Sequence, residues 1–229
     1  LLQLKIGTIK QKQFKNRGER KMKKIILLFS SLLALGVNAE GEVTKEVFIS
    51  PGVVSVNVVH HYKPVKLQRD QDRENEISDF YLKTARGKIQ PMLPFAPHLV
   101  ETIGELDVID YVKKRSDGDD TILIVDTRTP NWPVITGGIP TAVNIPYTRF
   151  KNKEKALEIM EDQLGVQVDD VYDFSYAKTL IMYCNGVWCG QTPAAITALL
   201  KYGYPAAKLK YYRGGMNSWK SLGLTTVNL

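Results

Sequence analysis

The sequence predicts an α/β fold of three layers, with a central, mostly parallel sheet flanked by helices. Two observations carry this. Ile122–Val125 and Leu180–Tyr183 are short continuous apolar runs, the pattern of strands covered on both faces. Segments of helical period lie between and after them, KNKEKALEIMEDQLGV from Lys151 and PAAITALLKYGY from Pro193. Strands that alternate with helices build parallel sheets with right-handed crossovers.

The elements follow in chain order. VVSVNVV at 53–59 has the β-branched content of a strand, and His60 and His61 follow it. Residues 67–88 mix charges around Ile77, Phe80, Tyr81 and Leu82 and read as a solvated loop with a short helix wrapping the domain. Pro91, Pro94 and Pro97 then make an extended linker in which helix is disfavoured. A helix is predicted from Glu101, with Ile103, Leu106, Ile109, Tyr111 and Val112 on one face and Ser116-Asp117-Gly118 as its stop. Asn131-Trp132-Pro133 is a loop insertion close to Asp126, its Trp132 either capping the domain edge or lining a site. The helix at 151–166 turns Ala156, Ile159, Met160 and Leu164 inward. In the helix after the second apolar run, Thr192 is a candidate N-cap and Pro193 suits the first turn. Ala194, Ala195, Ala198, Leu199 and Tyr202 make its buried stripe, and Gly203 ends it. KLKYY is the next strand, Gly214-Gly215 a close-packed turn, and MNSWKSLG the last helix, with Trp219 inward.

The formal net charge is +7, but residues 1–39 hold nine Lys and Arg against one acid, Glu19. The rest of the chain has 22 basic and 23 acidic residues, a net of −1. A nucleic-acid partner therefore loses its main support. Met22-Lys23-Lys24, the run IILLFSSLLALG and Val37-Asn38-Ala39 are the cationic, apolar and small-residue parts of a secretory signal. The apolar run is shorter than the roughly 20 residues a spanning helix needs. We expect cleavage after Ala39, a bacterial periplasmic location, and membrane contact only during export; a retained N-terminal anchor is the alternative. The organisation expected is an upstream, non-native extension (1–21), a signal peptide (22–39), an extension with a Pro-rich linker (40–99) and the α/β domain (100–229).

Chemistry concentrates in TLIMYCNGVW, residues 179–188. An apolar strand ends in Cys184, and Asn185, Gly186, Val187, Trp188, Cys189 and Gly190 lead into a helix. Open α/β sheets bind ligands at the carboxyl ends of their strands. Loop amides and a helix N-terminus there favour thiolate over thiol. A buried core thiol is the plain alternative, and the strand-end position argues against it. Outside the cytoplasm a nearby pair of cysteines can persist as a disulfide. The spacing C-x4-C is neither the C-x-x-C of thioredoxin-like enzymes nor that of zinc ribbons. No metal is expected, because no His follows His98 and two thiolates alone make a poor zinc site.

Four pieces resemble the rhodanese family of sulfurtransferases, in its order and at its spacing. They are ILIVDTR with Asp126 and Arg128, GGIPTAVNIPYTRF from Gly137, the Cys184 strand, loop and helix, and RGGMNSW from Arg213. The resemblance spans residues 100–227 and implies the rhodanese-like three-layer fold, with no cofactor. It also implies a Cys184 thiolate that takes sulfane sulfur as a persulfide and yields it to a thiol or other nucleophile. The backbone amides of Asn185, Gly186, Val187, Trp188 and Gly190 would then cradle the charge as an oxyanion hole does. Trp188 would form an apolar wall or pack on the domain body, and Cys184 should have the lower pKa of the two thiols. Asp126 and Arg128 read as a structural ion pair near the site. Gly138 stands where the family has His and Thr141 where it has Gly, both structural positions. The family's loop often ends in Arg at the place of Cys189, so the loop offers no cation to a doubly charged donor. Polysulfide or a persulfide is therefore expected as the small donor, in preference to thiosulfate, with a thiol as acceptor. Cys189 is a resolving thiol, a disulfide partner or an incidental replacement of Arg. Two other readings stand beside this one: a thiol–disulfide redox protein using Cys184 and Cys189, and a non-catalytic rhodanese-like interaction module.

Overall fold

A hairpin precedes the main sheet. Strands β1 (Ser55–His60) and β2 (Lys63–Gln68) pair antiparallel around His61 and Tyr62, which have φ of 46° and 63°. Two successive left-handed residues make the turn whose twist matches a hairpin's. The computed structural model describes residues 46–84 and 86–229. The upstream extension, the signal peptide and its cleavage after Ala39 fall on residues outside these.

Helix α1 (Asp79–Leu82) follows the hairpin. The main sheet consists of β3 (Glu101–Ile103), β4 (Ile122–Asp126), β5 (Val143–Asn144), β6 (Thr179–Tyr183) and β7 (Leu209–Tyr212). Its order is β3-β7-β6-β4-β5 and every pairing is parallel. Successive strand residues point to opposite faces, and the core divides accordingly. Leu123, Val125, Leu180, Met182, Leu209 and Tyr211 enter one apolar cluster, while Ile122, Ile124, Ile181, Tyr183 and Tyr212 enter the other. Helices α2 (Glu105–Ser116) and α7 (Gly215–Ser221) cover the second face together with the hairpin's Val58 and Leu67. Helices α4 (Tyr147–Lys151), α5 (Lys153–Asp162) and α6 (Gln191–Lys201) cover the first. This is the three-layer α/β fold expected from the apolar runs.

Several local expectations change. Residues 63–68 form a strand that the lysines and Pro64 obscured. Proline is tolerated there because β2 is an edge strand with one partner. Ile103 belongs to β3, and Leu106 is exposed; α2 buries Val108, Ile109 and Val112. Residues 131–136 form a short helix, α3 (Asn131–Thr136), whose Trp132 packs edge-on against Phe80 at 4.8 Å. Gly190, and not Thr192, occupies the N-cap of α6. Ile196, and not Ala194, joins Ala195 and Leu199 in that helix's buried face. Thr141, at the position where the family has Gly, adopts a left-handed φ of 68°. Its amide donates to His60 Nδ1 at 3.1 Å, so the ring's proton lies on Nε2, which meets the Asn228 carbonyl at 2.9 Å. Burial lowers the His60 pKa, in keeping with a neutral packing histidine.

Candidate functional site

From β4 the chain runs to β5 on one side and returns to β6 on the other. The carboxyl ends of β4 and β6 therefore flank the sheet's switch point, where a crevice forms. Asp126, Thr127 and Arg128 leave one strand and Cys184 the other. The Thr127 amide donates to the Tyr183 carbonyl at 3.0 Å, locking the two exits together.

Cys184 and Cys189 are both free thiols and both buried, at 2% and 8% exposure. The loop between them is fixed by backbone bonds. The Cys189 amide donates to the Gly186 carbonyl at 2.8 Å, and the first turn of α7 supplies Met216 N to Cys184 O at 2.9 Å and Asn217 N to Asn185 O at 2.8 Å. Gly215, at φ 55°, passes so close that a Cβ there would collide with the Cys184 carbonyl and stand 2.8 Å from Gly186 N. Gly186 is required for another reason, since the Trp188 ring would lie 2.8 Å from its Cβ. Trp188 thus folds back on its own loop and packs against the cluster on the α2/α7 face.

The two thiols lie close enough that each shifts the other's ionisation. Burial pushes the Cys184 thiol well up, and the neighbouring Cys189 sulfur pushes it further, while the Thr192 hydroxyl and amide work in the opposite direction. The Cys184 S–H also faces the Cys189 carbonyl at 3.5 Å. Cys189 is lowered to about 7, first by the Cys184 thiol and then, against burial, by the Gln191 and Asn185 amides and the Arg128 charge. The expectation that Cys184 has the lower pKa is therefore corrected: its deeper burial reverses the order. In the resting thiols, the hydroxyl and amide of Thr192 in α6 act on Cys184, and the Asn185 amide acts on Cys189.

Asp126 and Arg128 are fully buried. Arg128 Nε lies 2.8 Å from Asp126 Oδ1, and Nη2 lies 2.5 Å from Oδ2. Its remaining donors reach Thr136 Oγ1 at 2.6 Å and the Gly137 carbonyl at 2.7 Å, with Asn185 Oδ1 at 3.5 Å. Burial opposes the Arg128 charge, but bonding to Asp126 outweighs it and holds the guanidinium's pKa up. The pair ties β4 to α3 and to the cysteine loop. Among the described residues, no cluster of three His, Cys, Asp or Glu could hold a metal ion, and no helix is long and apolar enough to cross a membrane.

The family model of the rhodanese-like domain matches residues 108–222, half of the 229-residue chain. The chain belongs to the rhodanese-like family. No curated protein matches it. Among solved structures, it is similar to a single-domain sulfurtransferase of Saccharomyces cerevisiae, at 22% identity over 56% of this chain and 95% of that one, with a TM-score of 0.40. A rhodanese-related protein of Thermoplasma volcanium is 20% identical over 56% of this chain and 99% of that one, at 0.38. A Rhodopseudomonas palustris protein, described as a possible tyrosine phosphatase, is 20% identical over 63% and 98%, at 0.40.

Sequence reasoning missed several residues of this rhodanese-like site. Thr127 and Thr192 are 65 positions apart, with hydroxyls 2.7 Å apart, so no local pattern joins them. Gln90, in the segment read as part of a linker, donates from its amide to the Val187 carbonyl at 2.8 Å and accepts from Arg213 Nε at 2.9 Å. Arg86 sets its guanidinium over the Trp188 ring at 5.2 Å. Residues 86–90 are thus a strap across the cysteine loop.

Proposed function

We propose that this rhodanese-like chain takes up sulfane sulfur as a persulfide on Cys184 and passes it to a thiol or other nucleophilic acceptor. The observation that carries the reading is a buried free thiol, Cys184, at the carboxyl end of β6, with the buried free thiol of Cys189 in the same loop. Cys189, lowered to about 7, accepts the Cys184 proton and so serves as the base for a nucleophile that burial keeps neutral. The Cys184 thiolate attacks the outer sulfur of a persulfide donor RS–S⁻. A Cys184–sulfur bond forms, the donor's S–S bond breaks, and RS⁻ leaves with the electron pair. The Thr192 hydroxyl and amide steady the charge during attack, as preorganised donors do at a developing anion. An acceptor thiolate then takes the outer sulfur and restores the Cys184 thiolate.

The proximity of the thiols also supports a redox reading, in which Cys184 and Cys189 cycle between dithiol and disulfide. Intact mass and a free-thiol count after incubation with polysulfide separate the two. Gain of sulfur on Cys184 is the expected result. Loss of two thiols that no gain of sulfur on Cys184 precedes at short times favours the redox protein, and inertness favours a non-catalytic interaction module. The reading includes export, which rests on the cationic, apolar and small-residue series at 22–39. Terminal sequencing of mature protein should find Glu40, and Met22 on a membrane-bound form would replace export by anchoring.

A further inference from the structure

The cysteine loop carries no cation, yet the neighbouring strand brings one to the same edge. The β6–β7 register pairs Met182 with Tyr211 and Tyr183 with Tyr212. One step on, Cys184 and Arg213 leave the sheet side by side. Leu209 and Tyr211 share the face of Leu180 and Met182, and alternation puts Arg213 and Cys184 on that face too. Arg213 is half-buried and pairs with no carboxylate among the described residues. Its Nε is held by the Gln90 carbonyl at 2.9 Å, and Gln90 in turn bonds the loop at Val187. Its two outer nitrogens have no hydrogen-bond partner among the described residues.

Tyr211 supplies a second, independent feature. The residue is 1% exposed and its hydroxyl has no hydrogen-bond partner. A buried hydroxyl with an unused proton is costly unless something accepts it. Burial raises the hydroxyl's pKa most; the neighbouring Cys184 and Cys189 sulfurs also raise it and the Arg213 charge lowers it, so all three lie within its electrostatic reach. Phe95 packs edge-on against the ring at 5.5 Å and fixes its direction.

We propose that the Tyr211 hydroxyl and the Arg213 guanidinium form an anion subsite beside Cys184 that receives the charged end of the sulfur donor. The ligand class is a small sulfur-centred anion: thiosulfate, a persulfide or a polysulfide. Any of these must approach a thiolate of like charge, and a cation from β7 offsets that repulsion where the loop offers none. With thiosulfate, the Cys184 thiolate takes the outer sulfur, the S–S bond of the donor breaks, and sulfite leaves with the bonding pair. The proposal rests on the sulfur-transfer reading for its biological substrate, but its test does not need transfer to occur.

The experiment is calorimetric titration of thiosulfate into the full chain carrying Cys184→Ser and Cys189→Ser, which binds without reacting. Saturable binding is expected, weakened about tenfold by Arg213→Gln, the effect of one charge at short range in a partly wet site, and restored by Arg213→Lys. Tyr211→Phe keeps the ring and removes only the hydroxyl, so it should also weaken binding and covers the case in which Arg213→Gln fails to fold. Absence of saturable binding overturns the subsite, as does affinity unchanged from the double-serine parent when Arg213→Gln or Tyr211→Phe is added. Failure of the transfer reading shows elsewhere, as wild-type protein that never gains sulfur on Cys184.

Discussion

Thr127 Oγ1 stands 2.7 Å from Thr192 Oγ1, bridging the exit of β4 and the first turn of α6. The Tyr183 carbonyl already accepts the Thr127 amide at 3.0 Å. The Thr127 hydroxyl donates to the same carbonyl at 2.9 Å, so Thr127 Oγ1 can accept from Thr192, whose hydroxyl also acts on the Cys184 sulfur. Thr192→Val should remove that donor, raise the Cys184 pKa further and slow persulfide formation about tenfold, the scale of one hydrogen bond to a charged group. Thr192→Ser should recover the rate. Rate measured against pH checks this, and a Thr192→Val profile that overlays the wild type would remove Thr192 from the mechanism.

The thiol pair makes a second expectation quantitative. The Cys184 thiol is the main influence holding Cys189 at about 7. In Cys184→Ala, the midpoint for iodoacetamide alkylation of Cys189 should rise from about 7 toward the ordinary thiol range near 8.5. The sign for stability follows. A folded pKa below the unfolded one contributes stability above the unfolded value and loses it as pH falls through the folded value. Reduced wild-type protein should thus lose Tm relative to Cys189→Ser as pH drops through about 7. A constant difference in Tm across that range would place the Cys189 pKa elsewhere.

Arg128 gives a stability prediction. Both members of the Asp126–Arg128 pair are fully buried, and removing one leaves the other charge unpaired. Arg128→Met should cost about 3–5 kcal/mol and also loosen the loop at Asn185, which lies 3.5 Å from Arg128 Nη1. Denaturant unfolding measures the loss. A cost below about 1 kcal/mol, the range of an exposed pair, would mean that water reaches the site.

The central strands were legible because Ile122–Val125 and Leu180–Tyr183 are buried on both faces and so appear as unbroken apolar runs. Cys184 was legible because its position depends on one strand and the turn after it. The order of the thiol pKa values was not, since it depends on how deeply each sulfur is buried, a tertiary property. Residues 63–68 escaped notice because an edge strand alternates and tolerates proline and lysine. Gln90, Tyr211 and Arg213 join the site only through the strap and the β6–β7 register. Neither leaves a local pattern.

The last prediction concerns the fate of the sulfur. Cys184 lies at the strand end, bonded to Thr192, while Cys189 lies toward the surface at 8% exposure. Once Cys184 bears a persulfide, Cys189 can return the proton it took to the outer sulfur; its thiolate then attacks the inner sulfur, the persulfide S–S bond breaks, and HS⁻ leaves with the bonding pair, giving a Cys184–Cys189 disulfide. The same thiolate also serves as base for the first step. Cys189→Ser should therefore slow capture near neutral pH, where the base matters, yet leave it intact at a pH high enough to ionise Cys184 directly. It should also lengthen the life of the persulfide and remove the disulfide product. Mass and lifetime of the persulfide on each single mutant decide the matter. An unchanged lifetime in Cys189→Ser would reduce Cys189 to its role as base, and persulfide on Cys189 in Cys184→Ser protein would reverse the assignment of the carrier.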